Sequence, residues 1–406
     1  MVVEILPGKL SGSITPPPSK SQAHRLIIAA ALANGQSHLS NIALSKDISA
    51  TIRCMRALGA KISEDGTTIN GIEADSCGDS YLPQMDCCES GSTLRFLIPV
   101  ALAVAGGGVF TGQGRLMDRP QKPYEILFAE KGVSFVRKDG AIQVKGRLNG
   151  GVYHLPGDVS SQFITGLMYA LPLLEDDSEI ILTSPLESSG YVDMTIEALR
   201  IFGVTIQAVD GGWHIPGGQH YCVQDCAVES DFSQAAFFYA ANLLGSELTV
   251  CGMNPCSAQG DRVILAYERS LSQKGEVTLD VSQCPDLVPP LAVMAALREG
   301  EITHIVGAAR LRIKESDRLD TITTQLNALG ADVEQNTDCL TIRGVSSLHG
   351  GEVSGCNDHR IAMMLAIAAT AADGPIRVTG AECVEKSYPN FWDDYARLGG
   401  KIKRVE

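Results

Sequence analysis

Positively charged side chains stand at several predicted helix starts, where they could bind anions. Lys20 and Arg25 flank the first turn of a predicted helix, a place that the helix dipole makes unfavourable for cations. An anion held against the free backbone N–H groups would reverse that effect. If this helix start stood alone, an ordinary N-cap with two solvated cations beside it would explain it. However, Arg95, Arg119 and Arg360 also lie at predicted helix starts. The recurrence favours an electropositive pocket for phosphates and carboxylates.

A second cationic feature surrounds a carboxylate. The segment from Arg310 to Arg318 alternates in a way that predicts a strand, with Arg310, Arg312 and Lys314 on one face. Such a face could protect an edge strand from pairing. Glu315, between Lys314 and Arg318, could instead be a general acid or base among anion ligands. A helix is predicted to begin near Ser316 or Asp317.

Other polar residues at helix starts allow two interpretations each. Asp286, ahead of a Pro-rich buried helix, could be a cap or a base that accepts a hydroxyl proton. Lys386 is equally ambiguous, and His359 could carry a proton or be structural. A further start is crowded with small polar side chains, namely Ser160, Ser161 and Gln162.

Two interleaved patterns predict the elements that position these residues. In the first, an amphipathic helix ends at a glycine and a strand follows; the glycines are Gly59, Gly132, Gly203, Gly275, Gly330 and Gly399. In the second, a polar turn opens a helix that is apolar all round and therefore buried. The glycines are 73, 71, 72, 55 and 69 residues apart, and the buried helices keep the same pace, with the same short fourth interval. The chain is therefore predicted to be α/β, with six copies of one unit.

Six units fit two domains of three units each. The predicted boundary near Ser230 gives an N-terminal domain of residues 15–228 and a C-terminal domain of residues 1–14 plus 229–406. Three consecutive prolines, Pro16 to Pro18, form an extended connector suited to a crossing between the domains.

Composition excludes several classes of protein. The 406 residues carry 47 acidic and 33 basic side chains, a net charge of −14, which argues against binding to nucleic acid or to an anionic membrane. The twelve cysteines show no metal-ligand spacing, so no cysteine metal site is expected. No apolar run reaches membrane-spanning length and no signal peptide is evident, so we expect a cytoplasmic protein.

The motifs together resemble the 5-enolpyruvylshikimate-3-phosphate (EPSP) synthase family of enolpyruvyl transferases. PPPSKSQAHR, ESGSTLRFL, GDVSSQF, RLRIKESDR, NDHRIAM and EKSYP occur in the family's order, from Lys20 to Pro389. The resemblance implies two similar domains, each of three βαβαββ units with buried helices (the inside-out α/β barrel), and an active site in the cleft between them. It implies no metal or organic cofactor, and we expect a monomer.

The resemblance also implies the reaction and the residues. The family transfers the enolpyruvyl group of phosphoenolpyruvate to the 5-hydroxyl of shikimate-3-phosphate by addition and elimination, a step towards chorismate and aromatic amino acids. Asp286 would be the base and Glu315 the proton donor, with Lys20 and Lys386 stabilising charge. Shikimate-3-phosphate would bind to Lys20, Ser21, Arg25, Ser160, Ser161, Gln162, Ser188, Tyr191, Asp286 and Lys314. Phosphoenolpyruvate would bind to Lys20, Gly91, Arg119, Gln162, Arg318, Arg360 and Lys386.

Two alternatives remain open. A sister transferase acting on UDP-N-acetylglucosamine shares fold and chemistry, but it typically has Lys-Asn where this chain has Lys20-Ser21, and a loop cysteine that is absent before Arg119. A non-catalytic protein could use the same pocket to bind a phosphorylated ligand, although it would not need Asp286 or Glu315. Phosphate release with each acceptor distinguishes the three hypotheses.

Overall fold

The protein was analysed as a computed structural model that describes residues 1–73 and 82–405. In these residues the helices are α1 (Lys20–Leu32), α2 (Lys46–Ala57), α3 (Gly91–Ala105), α4 (Lys122–Glu130), α5 (Ser161–Ala170), α6 (Ser189–Ile201), α7 (Phe232–Leu243), α8 (Ile264–Leu271), α9 (Val288–Ala296), α10 (Arg318–Ala328), α11 (His359–Ala369) and α12 (Phe391–Arg397).

The strands are β1 (Val2–Leu6), β2 (Ser11–Ile14), β3 (Gln36–Ser40), β4 (Lys61–Ile62), β5 (Thr68–Asn70), β6 (Gln84–Asp86), β7 (Gly107–Thr111), β8 (Ser134–Lys138), β9 (Ala141–Lys145), β10 (Gly151–Leu155), β11 (Ser178–Leu182), β12 (Gln207–Val209), β13 (Gly212–Ile215), β14 (Asp225–Ala227), β15 (Glu247–Val250), β16 (Val277–Asp280), β17 (Ile302–Val306), β18 (Asp332–Gln335), β19 (Leu340–Arg343), β20 (Gly351–Ser354), β21 (Ile376–Thr379) and β22 (Lys401–Val405).

The chain divides into two compact units. One consists of Met1–Ser19 and Glu229–Glu406, and the other of Lys20–Val228. Residues 15–19, which the prediction assigned to the N-terminal domain, belong to the first of these units. The reason is local pairing: Pro18 forms a bridge with Ser230, and the Ser19 N–H donates to the carbonyl of Glu229 at 2.7 Å.

The unit Lys20–Val228 contains three copies of one sheet pattern. Its four-stranded sheets have the orders β14-β3-β5-β4, β6-β7-β9-β8 and β10-β11-β13-β12. In each sheet the first two strands are parallel and the remaining pairings are antiparallel. The last strand, β14, pairs with β3, so the end of the unit returns to its first repeat.

The unit of Met1–Ser19 and Glu229–Glu406 repeats this pattern with one shortened copy. Two sheets have the orders β16-β17-β19-β18 and β20-β21-β1-β22, while the third contains only β15 and β2. After α8 the chain turns at Gly275 and enters β16 of the next repeat directly; all residues of this stretch are described, and none forms the usual hairpin. The missing hairpin accounts for the short interval of 55 residues in the sequence.

The two predicted helix classes are confirmed. The six apolar helices are α1, α3, α5, α7, α9 and α11, and their side chains form two separate cores, one in each unit. All six predicted cap glycines have positive φ, from +70° at Gly132 to +106° at Gly59. A side chain with a Cβ disfavours this left-handed conformation, which explains why glycine recurs at the ends of the amphipathic helices.

Candidate active site

In the unit that holds α9, α10 and α11, Asp286 accepts hydrogen bonds from three cations. It lies in a 3-10 turn, Pro285–Leu287, that opens α9. Its carboxylate is 2.9 Å from Arg318 Nη1, 3.1 Å from Arg360 Nη2 and 3.5 Å from Lys314 Nζ. The sequence motifs that supply these cations are therefore brought together around the predicted base.

Arg318 connects this carboxylate with two others. Its Nη2 is 2.9 Å from Glu315 Oε2, and its Nε is 2.8 Å from Asp358 Oδ2. The Arg318 side chain is 1% exposed and that of Asp358 is fully buried. One buried guanidinium thus fixes the predicted base, Asp286, and the predicted proton donor, Glu315, relative to each other.

Charge pairing keeps this cluster ionised despite its burial. Burial would raise the pKa of Asp286, but Arg360, Lys314 and Arg318 together hold that pKa well below its usual range. Burial would likewise raise the pKa of Asp358, yet Arg318 lowers it below the ordinary value. Burial lowers the pKa of Lys314, partly offset by Asp286. The buried carboxylates of Asp286 and Asp358 are thus paired with cations, which is how buried charges are tolerated.

The depressed carboxylate pKa values predict loss of stability in acid. The ion pairs of Asp286 and Asp358 stabilise the fold fully above the unfolded-state pKa of about 4 and are lost as pH falls through the lower folded-state values. We expect the free energy of unfolding, measured in urea at pH 7, 4 and 3, to fall across this range. Asp358→Asn has no carboxyl group to protonate at position 358, so its free energy of unfolding should fall less between pH 7 and pH 3 than that of the wild type. An equal fall in both proteins would contradict the depressed pKa of Asp358.

Lys386 lies at the end of a 3-10 turn, Ala381–Lys386, and is mostly buried. Its Nζ donates to the carbonyl of Asn357 at 2.7 Å. Cys356 and Asn357 have φ of +50° and +52°, a conformation that costs energy in residues other than glycine. Cys356 and Asn357 directly precede Asp358, the N-cap of α11. The strained turn therefore places the carbonyl of Asn357 against Lys386, beside the helix that carries Arg360.

The prediction of a strand over residues 310–314 is wrong. Ala309–Ile313 form a 3-10 helix, and α10 begins at Arg318 with Asp317 as its N-cap. Arg312 pairs with Asp317 at 3.0 Å, whereas Lys314 approaches Asp286. With about three residues per turn, alternate side chains do not share a face, so the three cations have separate partners.

In the unit Lys20–Val228, Arg25 is buried and its guanidinium donates hydrogen bonds to three acceptors. Its guanidinium donates to the Ser21 carbonyl at 2.7 Å, the Tyr191 carbonyl at 2.8 Å and the Thr195 hydroxyl at 2.9 Å. Burial lowers the pKa of Arg25 to about 10, so it stays charged at neutral pH. Lys20, one turn earlier, pairs with Asp47 at 2.7 Å. Two predicted ligands therefore lie in the first two turns of α1, each held by its own partners.

The start of α3 meets the start of α5 in the same unit. Gln162 accepts from Arg95 Nη1 at 2.8 Å and donates to the Ser92 hydroxyl at 3.0 Å. A Cβ built on Gly91 would lie only 2.8 Å from Arg119 Nη1. Glycine at this position therefore lets the Arg119 guanidinium lie against the helix start, where backbone N–H groups are available to an anion.

This close approach predicts the effect of Gly91→Ala. The new methyl group would displace Arg119, whose flexible end can move at little cost, so we expect less than about 1 kcal/mol of destabilisation. The KM for phosphoenolpyruvate should rise by about tenfold, because a displaced cation loses part of a charge-assisted hydrogen bond. Gly8→Ala, where nothing lies within 4 Å of a new Cβ and φ is outside the left-handed region, provides the control; steady-state kinetics with an unchanged KM for Gly91→Ala would contradict the displacement of Arg119.

The remaining predicted ligands also lie at helix starts. Ser160 caps α5 and Ser161 is its first residue, while Ser188 precedes α6 with φ of +56°. The Tyr191 ring lies 5.9 Å from the Arg25 guanidinium carbon. The predicted site residues thus fall into one set in each unit. The prediction missed two residues that hold them in place, Asp47 and Asp358, although each lies at a helix start.

Comparison with known proteins decides the family. The profile described as "EPSP synthase (3-phosphoshikimate 1-carboxyvinyltransferase)" matches residues 6–395. The chain belongs to the EPSP synthase family. It is 46% identical to the 3-phosphoshikimate 1-carboxyvinyltransferase of Clostridium perfringens (strain 13 / Type A) over 99% of both chains, and 47% identical to that of Clostridium acetobutylicum over 98% of both.

Solved EPSP synthases share the fold. An EPSP synthase structure from Acinetobacter baumannii is 26% identical, covers 99% of this chain and superposes with a TM-score of 0.80. A second structure from the same organism gives a TM-score of 0.81 at 25% identity. The predicted fold class, two α/β domains of three repeats, is confirmed, with the fourth repeat lacking its hairpin as described above.

Three further observations concern the described residues, 1–73 and 82–405. None of their helices is both long and apolar enough to cross a membrane. Their histidine, cysteine and acidic side chains form no group of three or more that could hold a metal ion. Their cysteines, whether buried or exposed, are free thiols.

Proposed function

We propose that this EPSP synthase family member transfers the enolpyruvyl group of phosphoenolpyruvate to the 5-hydroxyl of shikimate-3-phosphate and releases inorganic phosphate. The observation that carries the proposal is the Arg318 cluster, in which one guanidinium holds Asp286 and Glu315 at 2.9 Å each. An addition-elimination reaction needs a base for the hydroxyl and an acid for the methylene carbon. Two carboxylates fixed in separate surroundings can supply these two roles.

In this proposal Asp286 accepts the proton of the 5-hydroxyl while the hydroxyl oxygen attacks C2 of phosphoenolpyruvate. Glu315 donates a proton to C3, which forms a methyl group in a tetrahedral intermediate. Elimination then returns a proton from that methyl group to the Glu315 carboxylate and breaks the bond between C2 and the phosphate oxygen, so that inorganic phosphate leaves. Lys20 and Lys386 stabilise the charge that develops on the oxygens.

The anionic substrates would themselves activate the base. In the structure, Arg360, Lys314 and Arg318 hold the pKa of Asp286 well below its usual range, which makes it a weak base. A phosphate or carboxylate bound to those cations would compete for their charge and return the pKa of Asp286 towards its ordinary value. Proton transfer would therefore begin only when substrate is bound.

The resemblance assigns ligands in both units. Lys20, Ser21, Arg25, Ser160, Ser161, Gln162, Ser188 and Tyr191 would bind shikimate-3-phosphate together with Asp286 and Lys314. Gly91 and Arg119 would bind phosphoenolpyruvate together with Lys20, Gln162, Arg318, Arg360 and Lys386. No cofactor takes part in this scheme. The monomeric state and the cytoplasmic location remain predictions.

Phosphate release tests the proposal. The protein is mixed with phosphoenolpyruvate and with shikimate-3-phosphate, UDP-N-acetylglucosamine or no acceptor, and inorganic phosphate is measured over time. We expect release with shikimate-3-phosphate alone. Release with the nucleotide sugar alone would identify the sister activity, and release with neither acceptor would support the binding-protein hypothesis.

A further inference from the structure

A row of buried hydroxyl groups connects three helices behind the anion-binding starts of the unit Lys20–Val228. His24 Nδ1 on α1 is 2.7 Å from the Thr51 hydroxyl on α2. Thr51 is in turn 2.7 Å from the Thr93 hydroxyl on α3, which donates to Ser90 Oγ at 2.7 Å. All of these side chains are buried, so the row is shielded from competing water.

Arg25, which follows His24 on α1, begins a second row of hydrogen bonds that leads to α6 and α5. Arg25 Nε donates to the Thr195 hydroxyl on α6 at 2.9 Å, and Thr195 is 2.9 Å from the Thr165 hydroxyl on α5. Gln162, also on α5, accepts a hydrogen bond from Arg95 and donates one to Ser92, both on α3, so α5 is also joined to α3. We call the set of His24, Thr51, Thr93, Thr165 and Thr195 the polar belt.

Counting protons along the first row fixes the state of His24. Thr93 donates its proton to Ser90, so the hydrogen bond between Thr51 and Thr93 must use the proton of Thr51. The Thr51 oxygen must then accept from His24, which requires a proton on Nδ1. Within the described part of the chain, His24 Nε2 is buried and has no hydrogen-bond partner, as suits an unprotonated nitrogen in an apolar setting.

Burial also keeps this imidazole neutral. It lowers the pKa of His24 well below its usual range, and the neighbouring cations Lys20 and Arg25 lower it further. The Phe96 ring lies edge-on to the imidazole at 6.4 Å. A neutral His24 with its proton on Nδ1 is therefore a permanent donor to Thr51.

The members of the polar belt and their partners lie within a few residues of the proposed ligands on the same helices. His24 stands between Lys20 and Arg25 on α1, Ser90 directly precedes Gly91, and Thr165 follows Gln162 on α5. The buried helices are otherwise lined with Ala, Leu and Ile, whose packing tolerates small axial shifts at low cost. Directional hydrogen bonds between β-branched side chains with restricted rotamers penalise such shifts.

We propose that the polar belt positions the helix starts that bind the anionic substrates, with His24 as its fixed donor. The proposal rests on the function proposed above. Its members act through Lys20, Arg25 and Gly91 and do not touch the reacting atoms. Breaking the belt should therefore weaken substrate binding more than it changes the chemical step.

Thr51→Val removes the central hydroxyl while keeping the shape of the side chain. We expect the KM for both substrates to rise by about tenfold or more, since small displacements of binding groups are costly, with kcat changed by less than about threefold. Thr51→Ser restores the hydroxyl and should return KM to within about twofold of the wild type. Thr370→Val is the matched control: among residues 1–73 and 82–405, this buried hydroxyl at the end of α11 bonds only the carbonyl of Ile367. A KM for Thr51→Val no higher than that of the control would overturn the proposal.

Two His24 variants test the position of the donor. The asparagine amide nitrogen can stand where Nδ1 stands, whereas the glutamine amide reaches the position of Nε2. His24→Asn should therefore keep the wild-type KM within about threefold, and His24→Gln should raise it by about tenfold. The opposite order of the two variants would contradict the assigned donor.

A spectroscopic measurement needs no substrate and no variant. In protein with ¹⁵N-labelled histidine, NMR should show His24 as the neutral form protonated on Nδ1 from pH 5 to 8. A proton on Nε2, or an imidazolium at pH 6, would overturn the proposal even if the enzyme is active. Absence of phosphate release by the wild type would contradict the proposed function instead, and the NMR result would still decide the proton position in the belt.

Discussion

Asp286→Asn and Glu315→Gln are each expected to lower kcat by about 10²- to 10⁴-fold, the usual contribution of a positioned acid or base. Both amides keep the size of the carboxyl group but cannot exchange the proton. Binding should be preserved, because removing a negative charge beside Arg318, Arg360 and Lys314 does not weaken their attraction for anionic substrates. Steady-state kinetics should therefore show a low kcat with KM within a few-fold of the wild type.

The control for these variants is Asp332→Asn. Asp332 forms an exposed ion pair with Arg343 at 3.2 Å, so the same chemical change there should leave turnover unaltered. If Asp286→Asn and Glu315→Gln both kept more than about a tenth of the wild-type turnover, neither carboxylate would have the assigned role.

Asp358→Ala should produce the largest loss of stability among single changes in the cluster, about 3 kcal/mol or more. It removes a fully buried carboxylate from Arg318, which is 1% exposed, and leaves part of a buried guanidinium without its partner. It also removes the N-cap of α11, where Asp358 accepts from the backbone N–H of Arg360 at 3.0 Å. Urea unfolding at pH 7 measures the change.

An exposed ion pair provides the comparison for this loss. Asp393 contacts Arg404 at 2.6 Å, but the two side chains are 73% and 55% exposed. Because water and salt screen such a pair, Asp393→Ala should cost less than about 1 kcal/mol. Equal effects for Asp358→Ala and Asp393→Ala would show that the buried network does not stabilise the fold.

The repeat architecture could be predicted because its signals are local and recur. A cap glycine such as Gly330 needs only its own backbone conformation to be recognised, and an apolar stretch such as α11 needs only its composition. The absence of a hairpin after α8 was visible only as a short interval. Strand pairings such as β14 with β3 join residues almost 190 positions apart, and no local pattern encodes them.

The candidate site was predictable in its residue types but not in its pairings. Cations at helix starts indicated anion binding, yet nothing near Arg318 in the sequence reveals that its buried partner is Asp358, forty residues later. The alternation from Arg310 to Lys314 suggested a strand that buries Leu311 and Ile313 together, but the segment is a 3-10 helix in which Leu311 is buried and Ile313 is 36% exposed. Polar contacts of this kind depend on tertiary structure, which periodicity does not report.

The central claim, transfer of the enolpyruvyl group, is tested most directly by an oxygen label. Phosphoenolpyruvate with ¹⁸O at the oxygen between C2 and phosphorus is incubated with the protein and shikimate-3-phosphate, and the products are analysed by mass spectrometry. Addition of the 5-hydroxyl to C2 followed by elimination breaks the carbon–oxygen bond, so we expect the label to leave in inorganic phosphate. Label retained in pyruvate, with phosphate released by cleavage of the phosphorus–oxygen bond, would contradict it.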